Sequence, residues 1–445
     1  MNSDRTAIDD LEKPRRPRLL LLAYACSPAR GSEGGVGWNR ALQAARFCDT
    51  TVICQDGPMG DEIRRHLDEY GAVPGLSFEF VPKTAFVQFL MRFPGFYYGG
   101  LNLWHRRVYT LAAKLHAEKP FDLAHLVNLC TFREPGYLWK LGIPHVWGSW
   151  GGTNEFPWRF LSVAGITGAT VEVARTVVNR FQFRFGSRIR RGAVSGTVLV
   201  TNTLAQEDFT RVHGLPSLLT PCNGITSVAE QPREWDGANR PLRILWSGEL
   251  RPIKGLPLLL KALTQLPKDL PCEVRILGHG RSQAGWQRLA KRLGVDDRIT
   301  WTGWLPHADA LKHYAWADVF AFTSLRDTFP TVLLEALAAG TPVICLDHQG
   351  MKDIVNEQCG VKIPVTTPKR VIAELATAMV QMARDPARWE RLSCGALERA
   401  REFRWSRLGD DMATIYRQTL GEAESLDGTR AETRTAPVLE STIPS

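Results

Sequence analysis

The segment from Thr323 to Ile344 constrains this chain more than any other. Val319-Phe320-Ala321-Phe322, just before it, is β-branched and aromatic, as expected of a buried strand. A polar loop follows, and Val332 to Ala339 is then rich in Leu and Ala, both strong helix formers. Gly340 stands where a helix C-cap belongs, and Thr341-Pro342 restarts an extended strand. The loop puts Asp327 at the carboxyl end of a strand, with Glu335 eight positions later on the helix. In an open parallel sheet ligands bind at that edge, and a helix N-terminus there offers free N–H groups to a phosphate. A carboxylate further along the helix can accept hydrogen bonds from sugar hydroxyls, at roughly 1.5–3 kcal/mol for a charge-assisted pair. Such a site suits a molecule carrying both phosphate and hydroxyls.

These residues carry a resemblance. The segment is similar to the E-x7-E signature of the family-four glycosyltransferases, retaining enzymes with the GT-B fold. Phe329, Pro330, Leu334, Glu335, Ala336, Ala338, Gly340, Pro342, Val343 and Ile344 fit its pattern. Asp327 stands where the family has Glu, one methylene longer, and Thr328 replaces the usual Gly. Further blocks resemble the family in order along the chain. Gly31, Gly34 and Gly35 follow the first expected strand, as in the loop bordering donor phosphate and acceptor, although G-x-G-x-x-G is absent. Gly248 to Gly255 resembles the G-R-L-x-x-x-K-G element, with Lys254 in place. Glu249 occupies the usual Arg position, so either Arg251 substitutes or that cation is missing. Gly278-His279-Gly280 and Gly303-Trp304 resemble the turns that flank the nucleoside. Trp147 to Thr153 resembles a G-P-x-G-G-G loop found in a branch that builds extracellular polysaccharides. Asp122 to His125 resembles a D-x-x-H strand end near the acceptor, and Asn223-Gly224-Ile225 an element closing the first domain, with Thr226 where Asp is usual.

The resemblance implies an α/β architecture of two Rossmann-like, doubly wound domains facing a central cleft. A nucleotide-diphospho-sugar would bind mainly to the second domain and a glycan or polyprenyl-linked acceptor mainly to the first. Glu335 would hold the ribose, Lys254 and Arg251 the pyrophosphate, and Asp327 the transferred sugar, while His125 is a candidate on the acceptor side. Gly34, Gly35, Gly248, Gly278, Gly280, Trp304, Phe329, Pro330 and Thr331 complete the expected donor site. Fixed cations can absorb leaving-group charge in place of a metal, no D-x-D occurs, and no cofactor is expected. A nucleotide-sugar epimerase of the same architecture and a non-catalytic glycan-binding protein are the alternatives.

At 445 residues two domains are expected. Residues 1–18 read as a disordered N-terminus and 19–226 as the acceptor-binding domain. A Pro- and Gly-bearing stretch, 227–240, reads as the linker, followed by the nucleotide-sugar domain at 241–405. A closing helix at 406–420 and a disordered tail at 421–445 end the chain. The nine cysteines are scattered without metal spacing, which suits free thiols in a reducing compartment. Leu19 to Ala25 is too short for a signal h-region, and no run of 18 apolar residues predicts a transmembrane helix.

The net charge of +9 is uneven. No acid occurs from Val173 through Gln206, where Arg180, Arg184, Arg188 and Arg191 recur at helical spacing among aromatic and β-branched residues. Nucleic-acid motifs are absent. A basic, aromatic-rich helix fits an anionic membrane surface, each arginine contributing about 1 kcal/mol, and Phe86 to Tyr98 offers a second apolar stretch. The expected location is the cytoplasm, peripheral on the inner face of the membrane, in cell-surface polysaccharide synthesis.

Overall fold

The computed structural model describes residues 15–237 and 240–421. The expectations of disorder at 1–14 and 422–445 lie outside the described residues. Residues 15–18, placed by the sequence in a disordered end, are held in the structure. Arg15 pairs with Asp122 at 2.7 Å, and Arg18 is the first residue of a strand.

Two parallel sheets form the frame. The first contains β1 (Arg18–Ala23), β2 (Asp49–Gln55), β3 (Leu76–Val81), β4 (Leu123–Asn128), β5 (His145–Trp150), β6 (Thr197–Val200) and β7 (Leu218–Leu219), in the order β3-β2-β1-β4-β5-β6-β7. The second contains β8 (Leu242–Ser247), β9 (Cys272–Leu277), β10 (Ile299–Gly303), β11 (Val319–Phe322), β12 (Val343–Leu346) and β13 (Gly360–Ile363), in the order β10-β9-β8-β11-β12-β13. The central strands are continuous apolar runs such as Leu19 to Leu22, fully buried because helices cover both faces. In each sheet the strand order reverses beside the first strand, between β1 and β4 and between β8 and β11. Those two switch points open crevices at the carboxyl ends of the strands.

The closing helix, Trp405–Leu420, is wired to the other domain. Trp405, Leu408, Met412 and Tyr416 bury themselves in the core beneath the first sheet, against the helix Ser32–Ala44. Burial of side chains of this size contributes about 1.5–3 kcal/mol each, so four of them hold this helix firmly on the first sheet. The stretch read as a linker is anchored too. Arg240 makes two contacts of 2.7 and 2.8 Å with the buried carboxylate of Asp318.

Two expectations need correction. The basic run does not form one helix: Leu161–Phe185 ends at Gly186, and a separate helix spans Ser187–Val194. Arg188 then turns inward, meeting Glu134 at 2.6 Å on both carboxylate oxygens, so the four arginines share no face. The second concerns membrane length. Among the described residues one helix, Trp158–Phe185, is long and apolar enough by length and composition to cross a membrane, with 22% of its apolar window buried. Scattered Gly, Thr and Arg residues hid it from a search for an unbroken apolar run.

Candidate active site

Four loops at the switch points meet around a cleft of about 390 Å³, within the range of ligand sites. Ser32, Glu33 and Val36 come from the chain after β1, and Cys130 follows β4. Glu249, Arg251, Ile253 and Lys254 follow β8, while Arg326 to Phe329 and Thr331 follow β11. Cys222 and Asn223 close the remaining wall.

Backbone chemistry locks the two C-terminal loops together. Thr323 Oγ1 donates to the Lys254 carbonyl at 3.0 Å, and the Leu325 N–H donates to the Ile253 carbonyl at 2.7 Å. Gly255 lies in the left-handed region at φ 61°, and a Cβ there would fall 2.3 Å from the Thr323 carbonyl oxygen. Gly278, at φ 116°, packs as closely, its Cβ position lying 2.1 Å from the Gly248 oxygen. A Cβ on Gly280 would fall 2.6 Å from the Leu250 oxygen, so these expected donor-site glycines hold two loops in contact. A Cβ on Gly35 would fall 2.7 Å from the Arg30 carbonyl oxygen and one on Gly34 3.2 Å from the Arg30 Cβ, so both glycines let the helix Ser32–Ala44 start close against the preceding turn.

Asp327 is held from every side. Lys254 Nζ forms an ion pair with its carboxylate, and Ser324 Oγ donates to it at 3.4 Å. The Asp327 N–H donates to Gln349 Oε1 at 2.9 Å, and its carbonyl accepts from Asn154 Nδ2 at 2.6 Å. Asn154 belongs to the first domain and also donates to Gln349 at 3.1 Å. A clamp drawn from the loops of both sheets therefore fixes Asp327, the acid that the resemblance implies for the transferred sugar. Arg251 stands at the cleft, 3.4 Å from the exposed carboxylate of Glu249. The substitution of Glu for Arg at position 249 thus sets an acid beside the remaining cation.

The helix Thr331–Ala338 begins at the cleft, with Asn223 Nδ2 donating to Thr331 Oγ1 at 2.6 Å. Phe329 and Pro330 are buried at its start, and Phe329 packs edge-on against Phe403 at 5.9 Å. Glu335 lies one turn further and accepts from His307 Nε2 at 3.1 Å. That hydrogen bond raises the pKa of His307 against a smaller opposing effect of burial. Trp304 is an exposed ring on the loop after β10.

His125 departs from its expected place. It sits inside β4 rather than at a strand end, fully buried, while Asp122 lies at the far edge, ion-paired with Arg15. Its Nε2 meets the Gly148 carbonyl at 2.7 Å and its Nδ1 the Tyr416 hydroxyl at 2.7 Å. Burial pushes its pKa down to about 3, so the neutral ring donates to Gly148 and accepts from Tyr416. Both nitrogens are used in joining the closing helix to the sheet, and none remains for a substrate.

Sequence reasoning missed Glu33. Its Oε1 accepts the Cys130 N–H at 3.1 Å, and its Oε2 is buried without a partner among the described residues while Glu33 lines the cleft. Burial raises its pKa, against the opposing hydrogen bonds from Cys130. A carboxylate in the Gly-rich first turn of the helix Ser32–Ala44 gives no periodic signal, and only the closure of the cleft reveals it. Asn154, Gln349 and Arg326 were missed because their partners lie far off in the chain.

Residues 228–391 match the family described as glycosyl transferases group 1. A D-inositol 3-phosphate glycosyltransferase from Segniliparus rotundus is 32% identical over 184 residues, which is 40% of this chain and 40% of that relative. The chain thus spans less than half the length of this curated relative. The structure of Anabaena HepE in complex with UDP superposes with a TM-score of 0.56 at 18% identity, over 90% of this chain and 100% of that one. WaaG, a glycosyltransferase involved in lipopolysaccharide biosynthesis, superposes with a TM-score of 0.55 at 17% identity, over 89% of this chain and 99% of the other. At these identities the superpositions establish the architecture, which is the expected α/β pair of doubly wound domains.

Proposed function

We propose, from the premise that residues 228–391 form a group 1 glycosyl transferase domain within this two-domain fold, that the protein transfers a sugar from a nucleotide-diphospho-sugar to an acceptor in the cleft. One observation carries this reading: loops from both switch points bring Lys254, Arg251, Asp327 and the start of the helix Thr331–Ala338 to one cavity. Glu335 accepts from the ribose hydroxyls, in place of or beside His307. Lys254 and Arg251 face the diphosphate, assisted by the helix N-terminus. Asp327 orients the sugar. The two domains divide near residues 227–240, donor on the second and acceptor on the first.

The C–O bond between sugar and diphosphate breaks first, leaving negative charge on phosphate oxygen, which the fixed cations stabilise. That oxygen then takes the proton of the acceptor hydroxyl as it bonds to the anomeric carbon on the same face. Configuration is retained, and neither a metal nor an enzymic nucleophile takes part. HepE holds UDP at this architecture, which supports a nucleotide-linked donor.

For the acceptor we infer a glycan or lipid-linked saccharide of cell-surface polysaccharide synthesis, in keeping with the involvement of WaaG in lipopolysaccharide biosynthesis. The surface supports a peripheral seat on an anionic membrane. Phe86, Phe89, Phe93 and Phe96 are exposed beside Arg92, and Val177, Val178, Phe181 and Phe185 beside Arg184. An inner-face, cytoplasmic location is in keeping with this seat and with cysteines that form no disulfide among the described residues. The name of the inositol-phosphate relative favours a second reading, a small soluble acceptor.

Purified protein with UDP-, GDP- and ADP-sugars in EDTA tests the reaction. Released nucleotide and a retained anomeric centre in the product are expected. Isomerised donor without transfer would instead establish an epimerase, and recovery only on adding manganese would refute metal independence. Sedimentation with anionic vesicles at low salt tests the membrane seat, which absence of binding would exclude.

A further inference from the structure

Three guanidinium groups gather beside the cleft, of which Arg326 lines it. Arg133 lies on the loop after β4, Arg175 on the helix Leu161–Phe185, and Arg326 on the loop after β11. Glu172 receives Arg326 through two contacts, at 2.9 and 3.1 Å. Arg175 donates from Nη1 to the Asn154 carbonyl at 3.0 Å. Arg133 donates from Nε to Gln182 Oε1 at 3.0 Å and lies over the rings of Phe132 and Tyr98.

Among the described residues neither Arg133 nor Arg175 has a carboxylate in ion-pair contact, so one acid serves three cations. Burial, with the neighbouring charges of Arg326 and Arg133, pushes the pKa of Arg175 down to about 10. Burial and Arg326 lower that of Arg133 as well, against the opposing effect of Tyr98. Clustering like charges out of water opposes folding, and an uncharged side chain would make the same contacts with a carbonyl and an amide. Something other than stability accounts for the cluster. Its position is informative. Arg326 lines the cleft next to Asp327, and Asn154 joins Arg175 to the Asp327 carbonyl. Gly151 abuts Thr328 and Gly152 abuts Arg133, so no side chain intervenes at that edge.

We propose that Arg133, Arg175 and Arg326 seat a phosphate or diphosphate carried by the acceptor, separate from Lys254 and Arg251, the cations expected to hold the donor diphosphate. This rests on the cleft being a glycosyl-transfer site. Planar guanidinium forks match pairs of phosphate oxygens, and three of them around one dianion compensate the excess charge. Two sources share this chemistry, a soluble sugar phosphate and a saccharide linked to a polyprenyl diphosphate.

The test is calorimetric. With whichever of UDP, GDP or ADP binds most tightly held at saturation, inorganic pyrophosphate is titrated into the full chain. Wild type is expected to bind it, and R133Q or R175Q to weaken it about tenfold or more while leaving nucleotide affinity unchanged. R175K, which keeps the charge, should recover part of the binding, and matched melting curves should show each variant folded. Absence of a pyrophosphate site, or equal binding by R133Q and R175Q, overturns the proposal. Glucose 6-phosphate and undecaprenyl diphosphate in nanodiscs then compete as the soluble and lipid arms. Displacement by one identifies the source, and displacement by neither refutes an acceptor role. If no nucleotide binds wild type, the donor reading fails by itself, and the same titration of free protein against R175Q decides the cluster alone.

Discussion

Replacing Lys254 by Ala removes a fixed cation and strands an acid in one step. Lys254 and Asp327 are 20% and 17% exposed, so their pairing is only partly screened. Unit charges about 4 Å apart attract by about 4 kcal/mol at an effective dielectric near 20. Desolvation, side-chain entropy and salt leave about 1–2 kcal/mol of net stability for a part-buried pair. The kinetic effect should be larger. A cation aimed at charge that appears only as the nucleotide leaves is worth about 10²–10³ in turnover, or roughly 3–4 kcal/mol. Urea unfolding and initial rates of nucleotide release, measured on K254A, D327N and the double variant, separate the two effects. Stability should couple, the double variant losing less than the sum of the singles. Turnover of K254A should fall about a hundredfold or more, with donor binding weakened less. A K254A enzyme within about threefold of wild type would refute the assignment of Lys254 to the leaving group.

The other expectations are simpler to check. Glu335→Gln should weaken nucleotide binding by about tenfold, as one charge-assisted hydrogen bond becomes a neutral one, while a thermal shift caused by UDP in wild type should shrink to match. Gly278→Ala should destabilise by several kcal/mol, because its Cβ would lie 2.1 Å from the Gly248 oxygen, and circular dichroism melting would show it. His125 predicts an acid limb. Its pKa is depressed to about 3 in the folded protein, so between about pH 6.5 and that value only the unfolded chain binds the proton. Stability should therefore fall as pH falls through this window, by up to about 1.4 kcal/mol per unit, and H125Q should flatten the slope. For His307 the sign is opposite. Its folded pKa is raised by Glu335, so that contribution is present below about pH 6.5 and is lost as pH rises past the raised value, with H307A showing no such loss.

What could be read in the sequence was local. The strand Val319–Phe322 and the helix that starts at Thr331 were visible because apolar runs, a helix-rich segment and Gly340 lie within some twenty residues. Contacts across the cleft were not. Asn154 reaches Asp327 over 173 positions and Glu172 reaches Arg326 over 154, and no period in the chain encodes such pairings. His125 was misplaced because a histidine that joins a strand to a distant tyrosine looks, in sequence, like any other polar residue beside a strand. The break at Gly186 was overlooked because arginines at helical spacing continue through it.

The last described helix completes a core whose other parts are made at the beginning of synthesis. Until Leu408, Met412 and Tyr416 leave the ribosome, the groove between β4, β5 and the helix Ser32–Ala44 stays open, with His125 lacking one of its partners. The core beneath the first sheet therefore cannot reach its native packing until the helix Trp405–Leu420 docks on it. Proteins truncated before Trp405 should be captured by chaperones as exposed, sticky intermediates rather than accumulate as a separate folded unit.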